Sequence, residues 1–307
     1  MAYGAIVGQK MQESVILLPQ IIVDVNVGAT VTVSQGSTVL TQKQTGSNKL
    51  VFNVTNYGDW VVKGVLGSDT QTQTITIDTV KQYSVKFVLF DVKPTLADNS
   101  WTTIAKVASQ GIGSRYWKVG DSKPLVINGN TYTVNILGFN HDTLSNGSTN
   151  NITFGLKQLE SSQKMNNRDT VDGGFYNSDL YSYLNNDVYN ALPLELRGQV
   201  KSTKKAYGIP YSSNVLTNNM KLFLFSEIEV YGTTEYSHGG EGKLYDYFKT
   251  TSNRIKSFLN GNKDGWWLRS GASLTDKFIY AQSANNENSP SFNSPNIYYG
   301  VCFGFCV

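Results

Sequence analysis

From Gln20 to about Asp91, apolar and polar residues alternate over short runs. In "IIVDVNVGATVTVSQGSTVL", Val25 and Val27, then Val31 and Val33, take alternate positions across turns at Gly28 and Gly36. "KLVFNVTNYGDWVVKGVLG" repeats the pattern around a Tyr-Gly turn, and "TQTITIDTV" and "YSVKFVLF" close it. A two-residue period is that of a strand with one buried face. Several short strands spaced evenly between Gly and Asn turns predict an all-β sandwich. Lys93-Pro94 stops the pattern and no period resumes before Trp101, so residues 92–99 read as a linker. Residues 1–18 show no clear period and read as an N-terminal arm.

Beyond Trp101 the pattern mixes two periods. "YWKVGDSKPLVINGNTYTVNILGFN" predicts two strands joined by an Asn128-Gly129-Asn130 turn. In "NSDLYSYLNNDVYNALP", Leu180, Leu184 and Val188 recur every four residues, with Ser178 or Asp179 as cap and Pro193 as stop, which predicts a helix. "KLFLFSEIEVYG" reads as a strand or a short buried element, and "GKLYDYFKTTSNRIKSFLNG" as a second helix stopped at Gly261. A strand "WWLRS", a polar loop and a strand "YGVCFGFCV" follow. Helices interleaved with scattered strands define an α+β domain. The expected order is arm 1–18, sandwich 19–91, linker 92–99 and α+β domain 100–307.

Composition narrows the function. Hydrophobic residues make up 40% of the 307 and charged residues 16%, which argues against a solvated disordered chain. The net charge of +3 comes without a Lys/Arg stripe, so nucleic acid is not an expected partner. No apolar run is long enough to span a bilayer, so no membrane partner is expected either. Lys10 and Glu13 interrupt the stretch where a secretion signal needs an apolar core, which predicts folding where the chain is made. The two cysteines, Cys302 and Cys306, would lie roughly 13 Å apart in a strand. They read as buried thiols.

Candidate chemistry is sparse. The two histidines, His141 and His238, lack the further ligands a zinc site needs. His141-Asp142 reads first as a turn that caps backbone groups. Glu227 and Glu229 fall on one face of a strand-like segment, a spacing that glycosidase carboxyls use, but no aromatic cleft motif accompanies them. Gly-Ile-Gly at 111–113 lacks the context of a phosphate loop. No Asp-x-Asp-x-Asp calcium loop occurs, and Ser294-Pro295-Asn296 lacks the carboxylate of calcium-dependent sugar triplets. No catalytic residue, metal ligand or cofactor is expected.

The segment from Trp266 onward is organised around a polar middle. Trp266 and Leu268 face one way in a strand, Trp267 and Arg269 the other, and Arg269 reads as a buried, hydrogen-bonded structural residue. In "VCFGFCV" both faces are apolar, as in a strand buried on both sides. Between them, "NNENSPSFNSPNIYY" offers adaptable Asn and Ser and broad Tyr contacts, the chemistry of antibody loops. Asn285, Asn286, Asn288, Ser291, Phe292, Asn293, Asn296, Tyr298 and Tyr299 are therefore the candidate ligand-binding residues. A plain solvated connection has the same composition.

The motifs "SWTTIA", "YWKVGD", "ILGFNHD", "NITF", "SDLYSYLN", "FLFSEIEVYG", "EGKLYDYF", "WWLRS" and "YGVCFGFCV" occur in that order. Together, from Ser100 to Val307, they resemble a family of domains from Gram-positive bacteria and their phages marked by Trp-Trp-Leu-Arg-Ser. That family is similar to the C-type lectin fold, in the form shared by formylglycine-generating enzymes and hypervariable phage receptor-binding proteins. The resemblance implies that the Trp-rich and terminal strands pair in the core, and that the segment between them supplies a ligand-binding face. One departure is that Cys302 and Phe303 stand where the family carries Arg-Pro. The preceding sandwich, with its central Trp60, resembles the immunoglobulin-like modules that phage and cell-surface proteins use as spacers.

The fold class expected is thus an all-β Ig-like sandwich followed by an α+β C-type lectin-like domain. The function expected is that of a non-enzymatic bacteriophage virion protein, assembled in the host cytoplasm. Its arm would join other virion proteins and its lectin-like domain would bind a host cell-surface glycan or protein. A tail or baseplate receptor-binding protein and a capsid-decorating fibre read alike. Virion symmetry implies a homo-oligomer. The alternatives are a bacterial cell-surface adhesin and a formylglycine-generating-type enzyme. The latter needs a reactive cysteine pair, whereas Cys302 and Cys306 sit in an apolar strand without a basic neighbour.

Overall fold

The period-two segment builds seven strands: β1 (Gln20–Asp24), β2 (Thr30–Gln35), β3 (Thr38–Lys43), β4 (Leu50–Asn53), β5 (Gly58–Leu66), β6 (Asp69–Ile77) and β7 (Gln82–Lys86). The protein is described by a computed structural model over residues 18–283 and 288–307. Apart from Leu18, the expected arm lies outside the described residues, as do Asn285 and Asn286. One sheet has the order β3-β2-β5-β6 and the other β4-β1-β7. Strands β1 and β7 are parallel, in register from Gln20↔Gln82 to Asp24↔Lys86. Val31, Val33, Trp60 and Val62 of the first sheet share one core with Ile21, Val23, Phe52 and Val85 of the second. Trp60 completes its burial by donating Nε1 to Asn56 O at 3.0 Å. Val27, expected to point inward, is 62% exposed. Strand β1 ends at Asp24, and Asn26 turns the chain by accepting from Ala29 N and, through Oδ1, from Leu89 N.

The chain divides into two compact units, residues 1–92 and 93–307. Of residues 92–99, expected as a linker, 93–99 belong to the second unit. Leu96 and Asn99 are buried there, and Lys123 donates Nζ to Ala97 O and Asn99 O. Helix α1 (Trp101–Ser109) starts at Ser100, whose Oγ accepts from Thr103 N at 3.0 Å. Strands β8 (Ser122–Ile127) and β9 (Asn130–Phe139) form the expected hairpin, with positive φ at Asn128 and Gly129 as a tight two-residue turn requires. Strands β10 (Ile152–Leu156) and β11 (Ser162–Lys164) follow. The expected helix forms as α2 (Asp179–Tyr183), capped by Ser178, and continues through a π turn (Leu184–Val188) into α3 (Tyr189–Ala191). Then come α4 (Leu194–Arg197), β12 (Thr203–Gly208), β13 (Val215–Met220), β14 (Phe223–Leu224) and α5 (Glu227–Tyr231). The remaining strands are β15 (Trp266–Gly271), β16 (Phe278–Ala281), β17 (Pro290–Asn293), β18 (Tyr298–Gly300) and β19 (Phe303–Cys306). The molecule is β-rich with short helices.

Four expectations are corrected by the second unit. First, Glu227 and Glu229 lie on a helix, because Ser226 and Glu229 form a reciprocal capping box that starts α5. Second, residues 242–261 form two 3₁₀ turns, Asp246–Lys249 and Thr251–Arg254, in place of a long helix. Asn253 Nδ2 and Arg254 Nε take the carbonyls of Tyr247 and Phe248, which diverts backbone acceptors that a helix would use. Third, Trp266–Gly271 and Phe303–Cys306 do not pair. Strand β15 is central in the sheet β11-β18-β15-β16-β17, and β19 lies in β14-β19-β10-β9-β8. Fourth, the expected display loop is largely sheet: Pro290–Asn293 pair with β16, and Tyr298–Gly300 with β11. The apolar hairpin partners Ile279 and Phe292 sit opposite each other and draw this stretch into the sheet.

The double-sided burial read from "VCFGFCV" is present: every residue from Val301 to Val307 is buried. Phe305 stacks on Phe154 at 5.6 Å and meets Trp101 edge-on at 5.9 Å. Phe305→Ala is expected to lower the unfolding free energy of the second unit by about 3–5 kcal/mol, the usual cost of emptying such a position. Urea denaturation followed by tryptophan fluorescence checks this.

Candidate functional site

Inside the second unit lies a network of charged side chains. Arg269, on β15, is fully buried and places all five of its N–H donors. Nε donates to Ala206 O (2.7 Å), Nη1 to Leu224 O (2.8 Å) and Glu229 Oε2 (2.5 Å), and Nη2 to Glu229 Oε1 (2.9 Å) and Glu241 O (2.6 Å). Lys205, on β12, likewise uses its three donors on Asp142 Oδ1 (2.5 Å), Glu229 Oε1 (3.0 Å) and Tyr245 Oη (2.7 Å). Tyr245 Oη in turn donates to Asp142 Oδ2 at 2.9 Å. Burial alone would raise the Asp142 carboxyl, yet the Lys205 charge and the hydrogen bonds around it hold it well below the usual range. Glu229 is held down in the same way by Arg269 and Lys205. Glu227 points elsewhere and accepts the backbone N–H groups of Glu235, Tyr236 and Ser237. The two glutamates are therefore fully engaged by separate donors, and do not form a paired-carboxyl cleft.

Strand β15 links this network to an outward-facing cleft. Trp267 Nε1 donates to Gln163 O on β11 at 3.0 Å, and its ring meets Tyr299 edge-on at 4.9 Å. Tyr299 stacks on Tyr280 at 4.0 Å. Its phenol is pushed up to about 12, first by burial and then by its hydrogen bond with Tyr280. With Tyr299 locked inward, its neighbour Tyr298 points out, 59% exposed. Opposite it in register is Lys164, whose Nζ sits 5.1 Å from the Tyr298 ring centre. Together with Asn167, Asp179 and Tyr183 these side chains line a cleft of about 120 Å³. Asp179 Oδ2 accepts from Asn167 N (2.8 Å) and Nδ2 (2.9 Å), while Oδ1 accepts no hydrogen bond among the described residues. Tyr183 donates to Glu160 Oε2 at 2.9 Å, and burial pushes its phenol up to about 12.

The candidate residues from the sequence are dispersed by this arrangement. Tyr298 lines the cleft, and Tyr299 supports it from behind. Ser291, Phe292 and Asn293 lie on β17, at the opposite edge of the sheet. Phe292 packs edge-on against Tyr236 at 5.1 Å, and Asn293 donates to Tyr299 Oη at 3.0 Å. Asn288 and Asn296 are half-buried outside the strands. Lys164, Asn167, Asp179 and Tyr183 were not among the expected residues. Their nearest signal is the cap of "SDLYSYLN", which places Asp179 at the start of a helix but says nothing of its meeting Tyr298.

The expectation that the thiols lack a basic neighbour is corrected: the Lys256 charge acts on Cys302 and the Lys205 charge on Cys306. Burial raises Cys302, and burial with the neighbouring Asp142 carboxylate pushes Cys306 up to about 12. Among the described residues no group of three His, Cys, Asp or Glu side chains is placed to hold a metal ion, and no helix is long and apolar enough to cross a membrane.

Residues 148–301, half of the chain, match the family described as Domain of unknown function (DUF6273). The chain belongs to this family. No curated protein matches it. The matched segment contains the Arg269–Glu229 pair and every residue named for the cleft, and leaves Asp142 and Cys306 outside.

Glu229→Gln leaves two buried cations sharing one carboxylate fewer, and is expected to cost about 3–5 kcal/mol of stability in urea titration. A loss below about 1 kcal/mol would show that the pair merely breaks even. Glu241 gives a pH signature. It accepts from Gly208 N and from the Ser270 hydroxyl, but burial dominates and raises its carboxyl from 4.5 to about 7. A folded value above the unfolded one means that the folded state holds the proton more tightly. The resulting stability is full below the unfolded value and is lost as pH rises through about 7. Relative to the parent, Glu241→Gln is expected to remove about 2–3 kcal/mol of the fall in stability between about pH 5 and about pH 9. Urea titrations at the two pH values measure it.

Proposed function

We propose that this chain is a non-enzymatic bacteriophage virion protein whose second unit, of C-type lectin-like architecture, binds a host-surface glycan at the cleft beside Tyr298. The first unit serves as an Ig-like spacer, and its two sheets around a Trp60-centred core suit that role. Within the virion the chain joins other virion proteins as a homo-oligomer.

One observation carries the reading: an exposed aromatic ring stands beside a polar cleft and is braced from behind by the Trp-Trp-Leu-Arg-Ser strand. A pyranose ring has an apolar face and a rim of hydroxyls. Tyr298 offers the flat apolar surface at low entropic cost. Around it, Asp179 Oδ1 can accept a hydroxyl, and Lys164 and Asn167 can donate to others. The protonated, enclosed thiols weigh against the formylglycine-generating alternative, since a thiolate is the reactive form.

Tyr298→Ala is expected to weaken binding of the purified protein to host cell walls by about tenfold or more, with an unchanged melting temperature because the ring is exposed. Binding equal to the parent would remove the cleft from consideration.

A further inference from the structure

A second cavity, of about 450 Å³, lies over the buried charge network. Its roof is the loop 237–243, reading "SHGGEGK". The loop is pinned at its centre, where Glu241 O accepts from Arg269 Nη2 and from Ser226 Oγ. Gly240 and Gly242 have φ of 90° and 129°, and a Cβ at Gly242 would fall 2.8 Å from Glu229 Oε1. Only glycine lets the backbone lie this close to the network.

The lining carries four cations, Lys204, Lys205, Lys243 and Arg269, and three carboxyls, Asp142, Glu229 and Glu241. The deep groups satisfy one another: Lys205 binds Asp142 and Glu229, and Arg269 binds Glu229. Both Glu241 oxygens already accept, from Gly208 N and Ser270 Oγ. What remains uncommitted is donors. Lys204 and Lys243, both exposed, have no ion-pair partner among the described residues. Among the described residues, the backbone N–H groups from Gly239 to Lys243 donate no hydrogen bond. Gly-rich backbone with unbonded N–H groups and two lysines lining the same cavity have the composition of an anion cradle.

We propose that this cavity binds a small oxyanion group, phosphoryl or carboxyl, between Lys204, Lys243 and the 240–243 backbone. The site is separate from the Tyr298 cleft and does not rest on the glycan reading. The buried network beneath it supplies a rigid floor, so the loop is already in place when the anion arrives.

Calorimetric titration of the full chain with inorganic phosphate, and separately with acetate, at low ionic strength tests the site. Saturable binding of either anion is expected, and the one held more tightly identifies the group. The double variant Lys204→Gln/Lys243→Gln should weaken it by about tenfold or more without lowering the melting temperature. Tyr298→Ala should leave it unchanged, which separates this site from the cleft. No saturable heat at millimolar anion, a response reproduced by sodium chloride at matched ionic strength, or equal affinity in the double variant would overturn the proposal.

Discussion

A guanidinium taken wholly out of water is tolerable only when every N–H finds an acceptor in good geometry. Arg269 meets that condition with acceptors from four separate segments: β12, β14, α5 and the loop at Glu241. None of these can shift without leaving a buried charge partly unpaired. Lys205 and Asp142 extend the same constraint to the turn after β9 and, through Thr153, to β10. Because Leu224 and Phe225 lie between β15 and β19, the network also sets the spacing of the two five-stranded sheets. Phe225 packs edge-on against Trp266, Tyr245 and Phe248 around it.

The outward face inherits its order from that interior. Strand β15 carries Arg269 into the network and Trp267 against β11 and Tyr299. A residue that never meets solvent therefore decides which way β18 presents Tyr298. The aromatic stack Tyr280–Tyr299 and the indole hydrogen bond fix this without any charged group. The buried network and the order of the outward face are joined along a single strand of six residues.

Local patterns in the chain were sufficient for the hairpin at Asn128-Gly129, the helix begun by Ser178 and the double-sided burial of Val301 to Val307. Each depends on neighbours a few positions apart. Helix α5 also had a local signal, the Ser226-Glu227-Ile228-Glu229 capping pattern, outweighed by the apolar run before it. The polar stretch after Ala281 looked like a loop because its composition is loop-like, while Phe292 and Tyr299 supply burial that composition averages away. Long-range meetings were not legible. Asp142 and Lys205 are 63 residues apart, and Lys164 and Tyr298 more than twice that, so no period or spacing connects them. Gly242 carried a readable hint of close approach, but what it approaches is Glu229, which only the folded chain brings there.

In the first unit, β1 and β7 run side by side in the same direction over five register pairs. Tension applied before Gln20 and after Lys86 would draw these strands past each other lengthwise. All their mutual hydrogen bonds would then be loaded together, instead of opening one at a time as in a hairpin peeled from its end. The module is wired to resist stretching along that axis.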